Sequence, residues 1–203
     1  MFGCLVGSEM CIRDRSDGLF LIENDSIRAN IPAGVDEDSN SNYIVDIAAI
    51  GDCASVAGCQ VLFIQGQNTA YRVDVDSTSV GSANLLTSDY LLTGQVATYA
   101  GIGYWSSDEG LLRYDVSNNT FLAPWGSTGV NGVDNAPVAV VGDVLHMGLA
   151  GYGVARKDLA TGEILTPLNS GNSIMNSNNI FALEVNGNDL WIGTQLGGFI
   201  WDG

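Results

Sequence analysis

GDVLHMGLAGYGVARKD (142–158) aligns without gaps on GNDLWIGTQLGGFIWDG (187–203). The offset of 45 pairs Gly142 with Gly187, Leu145 with Leu190, Met147 with Ile192, Gly148 with Gly193 and Gly153 with Gly198. Self-similarity at a period of this size marks an array of supersecondary units that stack to bury a shared core. Two earlier copies extend the array, IGYWSSDEGLLRYD (102–115) and VLFIQGQNTAYRVD (61–74), and GLFLIEND (18–25) is a first, incomplete one. The triplet Arg-x-Asp recurs in one slot as Arg72/Asp74, Arg113/Asp115 and Arg156/Asp158, at spacings of 41 and 43.

Within each copy short apolar runs alternate with polar residues and break at turn residues, a pattern that fits strands and not helices. The last copy predicts strands at 180–185, 189–194 and 198–201, the first two joined by the hairpin dipeptide Asn186-Gly187. The two copies before it add a fourth strand near 120–124 and 164–168. A repeated four-stranded antiparallel unit of this length cannot bury both faces alone, so it stacks on its neighbours as a propeller blade. The expected fold is therefore all-β, a truncated, partial β-propeller of about four such blades, with strand counts of two, four, four, four and three along the chain.

Glycine, at 26 of 203 residues, is nearly twice its usual share and supports many tight turns. The net charge of −16 leaves no basic surface to neutralise phosphates, which argues against a nucleic-acid partner and against an anionic membrane surface. Such acidity suits solubility or an extracellular setting and carries no information about the fold.

The first residues do not read as part of the array. Residues 4–15, CLVGSEMCIRDR, resemble the translation of a transposase-type sequencing adapter, with LVGSEMCIRD from Leu5 to Asp14 following its codons. Glu9, Arg13, Asp14 and Arg15 interrupt any signal-type apolar core. The expected organisation is a non-native segment at 1–15 followed by the partial propeller at 16–203, part of a longer protein whose remaining blades or domains would be its nearest partners.

Chemistry-bearing constellations are few. Cys53 and Cys59 flank ASVAG between two apolar runs, a placement that suits a hairpin disulfide or two reduced surface thiols. His146, the single histidine, aligns with Trp191 at a regular strand position, so a packing role is expected of it. Residues 36–42, DEDSNSN, place oxygens at alternate positions as a calcium loop does, but Ser41 stands where the glycine belongs and Ile47 where a closing carboxylate belongs. Asp74 and Asp76 form a weaker pair of the same kind. The Arg-x-Asp pairs share one face of a strand and suggest structural Arg–carboxylate pairing. Trp105, Trp125, Trp191 and Trp201 could stack on sugars, though large aromatics more often fill space between sheets. No catalytic, cofactor or metal residue is predicted.

FALEVNGNDLWIGTQLGGFIWDG (181–203) resembles the two-component regulator propeller repeat, with its apolar strand, Asn-Gly turn, LWIGT core, glycine pair and aromatic strand. The resemblance implies an extracellular or periplasmic sensor-type domain that binds a ligand such as a glycan and passes a signal to attached modules. It makes a non-enzymatic binding or sensing role the first expectation. A piece of a propeller enzyme of lyase or quinoprotein type, or an architectural cell-surface repeat protein, are the alternatives.

Overall fold

The computed structural model describes residues 2–5, 10–15, 18–23, 26–31, 46–51, 60–65, 69–75, 81, 84–87, 92–107, 110–125 and 136–203. Every regular element in them is a β-strand, and every sheet is an antiparallel meander in chain order. The chain divides into two compact units, Met1–Leu92 with Val116–Asn118, and Thr93–Asp115 with Asn119–Gly203.

The first unit holds two four-stranded sheets. One is β1 (Phe2–Leu5), β2 (Met10–Arg15), β3 (Gly18–Glu23) and β4 (Ser26–Ile31). Only β3 and β4 were expected from the repeat. β2, three apolar residues followed by three charged ones (MCIRDR), pairs along its whole length with β3, Met10 opposite Glu23 and Arg15 opposite Gly18. The other sheet is β5 (Asp46–Gly51), β6 (Gln60–Gln65), β7 (Ala70–Val75) and β8 (Asn84–Thr87). Its core includes Ile50, Phe63 and Val73.

The second unit holds the clearest repeats. β9 (Leu92–Tyr99, all but its first residue), β10 (Ile102–Ser107), β11 (Gly110–Asp115) and β12 (Thr120–Trp125) form one sheet. β13 (Val138–Val141), β14 (Val144–Leu149), β15 (Gly153–Asp158) and β16 (Ile164–Leu168) form the next. β17 (Ile180–Asn186), β18 (Asp189–Thr194) and β19 (Gly197–Trp201) form a three-stranded sheet. The strands predicted in the last copy and the two fourth strands are thus present, with ends moved by a residue or so.

Register corrects the ungapped alignment. Leu149 faces Gly153 across a loop of three residues, whereas Thr194 faces Gly197 across a loop of two. Gly153 is therefore the counterpart of Gly197, not Gly198, and the third strands are related by an offset of 44. Gly110, Gly153 and Gly197 all open a third strand with positive φ, 116°, 94° and 129°. At Gly153 a Cβ would also lie 2.1 Å from the Leu168 carbonyl oxygen, so any side chain there would collide with β16.

Two apolar layers join the sheets of this unit. Ala97, Tyr104 and Leu111 of the β9–β12 sheet meet Val138, Leu145 and Met147 of the next. The opposite face of that sheet, with Ala139, Val154 and Leu168, meets Leu183, Leu190 and Ile192 of the last. Gly148 sits at this second layer, where a Cβ would come 2.5 Å from Ile180 Cγ2. The corresponding face of the last sheet is uncovered among the described residues, with Trp191 and Ile200 about half exposed (47% and 49%).

Candidate functional site

The second and third strands of each sheet present one recurring slot. Phe63 faces Arg72, Tyr104 faces Arg113 and His146 faces Arg156, while in the last sheet Trp191 faces Ile200. Directly opposed residues share a face, so each of the first three pairs offers a ring beside a guanidinium. His146 is fully buried, its ring 5.3 Å from that of Trp201 on the next sheet. Its Nδ1–H donates to the Val144 carbonyl at 3.0 Å, which leaves Nε2 as a buried acceptor without a partner. Burial first, and the charge of Arg156 second, lower its pKa to about 4. The imidazole is thus a neutral packing group, as its alignment with Trp191 suggested.

The arginines do something the sequence did not show. In the β9–β12 sheet Leu111 pairs with Trp125 and Arg113 with Leu122, so Ala123 and Pro124 together oppose Leu112. The β13–β16 sheet repeats this bulge, with Val154 opposite Leu168 and Arg156 opposite Leu165. Both fourth strands read Leu-x-Pro-apolar, LAPW (122–125) and LTPL (165–168). Proline brings no N–H to the ladder, and a bulge already disrupts it. Arg113 Nη2 donates to the Ala123 carbonyl at 2.6 Å, and Arg156 Nη1 to the Thr166 carbonyl at 3.5 Å. Each arginine therefore clamps the carbonyl just before the proline. Burial lowers the pKa of both guanidiniums below the ordinary arginine value.

Arg72 follows the expected carboxylate pairing, its Nε 2.7 Å from Asp74 Oδ1. Asp158 instead accepts from the backbone N–H groups of Ala160 and Thr161, closing the turn into β16. Those turn hydrogen bonds hold its carboxyl below the usual range. The tryptophans serve packing in most cases. Trp105 is fully buried. Arg113 and Lys157 both stand over the Trp125 ring, at 4.2 and 4.4 Å, and Arg156 stands 4.5 Å over Trp201. Trp191 alone of the four is exposed.

A candidate binding surface lies where three connections of the second unit meet. The β14–β15 turn (150–152), the β16–β17 connection (169–179) and the β18–β19 turn (195–196) are tied by hydrogen bonds. Gly153 N–H donates to the Asn178 carbonyl, Gln195 N–H to the Asn179 carbonyl, and Asn179 Nδ2 to Gln195 Oε1 at 2.9 Å. Within the long connection Ser170 N–H donates to Asn178 Oδ1 and Asn172 Nδ2 to the Pro167 carbonyl, while Met175 is buried as its apolar anchor. These segments contain no Asp, Glu, Lys, Arg or His in a chain of net charge −16. They do expose Tyr152 (58%), Ile174 (74%) and Leu196 (61%).

Cys53, Cys59, the acidic loop 36–42 and Asp76 lie outside the described residues. Among the described residues no group of three or more His, Cys, Asp or Glu is placed to hold a metal ion. No helix there is long and apolar enough to cross a membrane.

Four-stranded meanders that repeat in sequence and stack on equivalent faces define a β-propeller-type fold, here a partial one. No protein-family model matches the chain, and no curated protein sequence does. Solved structures do. BamB from Moraxella catarrhalis superposes with a TM-score of 0.64 at 14% identity, over 100% of this chain and 56% of that one. The extracellular domain of the hybrid two-component system BT3049 from B. thetaiotaomicron gives 0.64 at 14% identity, over 98% of this chain and 26% of that one. The computationally designed Ika8 protein gives 0.60 at 12%, over 98% and 57%. The chain thus spans little more than half the length of Ika8 or BamB. At such identities the likeness is one of fold.

Proposed function

We propose that this chain is a non-enzymatic binding or sensing segment of an extracellular or periplasmic propeller protein. Its ligand, on this reading, is a neutral polyhydroxylated molecule of the glycan class, held by the connections around Tyr152, Asn179 and Gln195. The observation that carries the reading is the uncharged, amide-rich character of that surface. Sugars are recognised by apolar rings and fixed amide or hydroxyl groups, and an aromatic face offers contact area at low conformational cost. The likeness of the last copy to the two-component regulator propeller repeat, and the fold shared with an extracellular domain of a two-component system, support the location and the sensing role.

The test is a screen of neutral and acidic glycans against the whole chain, followed by calorimetry on Tyr152→Ala. Binding of neutral saccharides, weakened roughly ten-fold or more by the substitution, is the expected result. Binding only to acidic glycans, or unchanged binding without the ring, would sink the reading. The same reading includes a Cys53–Cys59 bridge, since oxidising compartments retain disulfides. Thiol titration should then find two more reactive cysteines after reduction than before it. It also includes a foreign origin for residues 1–15.

A further inference from the structure

The side-chain amides of Asn179 and Gln195 hold each other by one hydrogen bond, Asn179 Nδ2–H to Gln195 Oε1. The reciprocal bond, Gln195 Nε2–H to Asn179 Oδ1, is not formed, and among the described residues neither atom has another partner. The pair therefore keeps one acceptor and one donor for a ligand. Both residues are fixed at the backbone. Asn179 N–H donates to Ser177 Oγ at 3.2 Å, its carbonyl accepts from Gln195 N–H at 3.2 Å, and the next residue, Ile180, is buried. Gln195 follows Thr194, whose Oγ1 donates to the Gly197 carbonyl and accepts from Leu196 N–H. Groups set in place beforehand lose little freedom on binding. There is also room beside them: a Cβ at Gly151 would meet only Asn179 Oδ1 within 4 Å, at 3.9 Å. Tyr152 is the next residue of that turn.

We propose, resting on the glycan reading above, that the Asn179–Gln195 amide pair recognises a vicinal diol of a neutral saccharide. One hydroxyl donates to Asn179 Oδ1 while its neighbour accepts from Gln195 Nε2–H. Hydroxyls on adjacent ring carbons lie side by side and each can donate and accept, so they match a donor and an acceptor presented together. A carboxylate has no proton for Oδ1. A trans amide such as an acetamido group holds its N–H and C=O on opposite edges, so it cannot offer both to one side. Methyl ethers lack the proton altogether. Asn179 and Gln195 thus determine specificity for free diols, whereas the Tyr152 ring supplies contact area that does not depend on hydroxyls.

The test is calorimetry of the full chain with cellohexaose, xylohexaose, mannohexaose and maltohexaose, each beside its per-O-methylated form. At least one unmodified hexaose should bind, and its methylated form should bind roughly ten-fold or more weakly. Gln195→Glu keeps the Oε1 that accepts from Asn179 but loses the donor, and Asn179→Ala removes the acceptor. Each should weaken binding of the unmodified sugar roughly ten-fold, with an unchanged circular dichroism spectrum. Equal binding of the methylated form, or unchanged binding in both variants, overturns the diol assignment. If Tyr152→Ala still weakens binding in that case, the glycan reading stands without it. Binding of none of the hexaoses overturns both.

Discussion

At the residue scale, His146 shows how a repeat tolerates a polar substitution inside its core. Its slot is filled by Phe63 and Tyr104 in earlier sheets, and the imidazole keeps their packing at the cost of a buried Nε2 with no partner. That cost depends on pH. An unfolded histidine takes up a proton near pH 6.5, whereas the folded one does so only at about 4. The folded pKa is depressed, so the contribution to stability is complete above 6.5, shrinks as pH falls and is gone below about 4. Urea unfolding of the wild type between neutrality and about pH 4.5 should lose ~2–3 kcal/mol more than His146→Phe loses over the same range. Equal losses in the two proteins would mean that carboxylate titration alone governs acid stability.

At the element scale, the fourth strands are held by more than their ladders. A bulge and a proline remove backbone pairing at the same point, and the arginine three residues after the opening glycine of the third strand replaces it. Arg113→Met keeps most of the aliphatic stem but frees the Ala123 carbonyl and removes the cation over Trp125. The expected loss is about 1–3 kcal/mol, read as a lower urea midpoint at unchanged m-value. Amide exchange should accelerate in β12 and not in β16; a uniform change across both sheets would place the arginine's role elsewhere. The Arg-x-Asp recurrence was visible in the sequence as a slot of period 41 and 43, but its purpose was not. A carboxylate two residues away is an obvious partner on a strand. The partner chosen in the second unit is a carbonyl ten residues on, which only the bulge brings within reach.

At the scale of the whole molecule, the chain divides into two compact units. If residues 1–15 are adapter-derived, sequencing the gene in its genomic context should find other codons in their place. A genomic reading frame that encodes them would overturn that origin. The strand class, the hairpin turns and the four-stranded repeat were legible from alternation, glycine placement and period. Those are local properties, set by backbone sterics and by which faces need covering. The surface around Tyr152, Asn179 and Gln195 was not legible, because its three segments are separated along the chain and share no motif. The one-residue slip between Gly153 and Gly197 was hidden for a related reason: loop length is decided by how each hairpin closes, and two glycines side by side at 197 and 198 mask the difference. Sequence alone determined that the chain builds stacked antiparallel meanders, because period and pattern admit no other way to bury the apolar positions. Tertiary structure decided which carbonyl each arginine holds and which connections meet around Asn179, because those depend on neighbours that the local pattern does not encode.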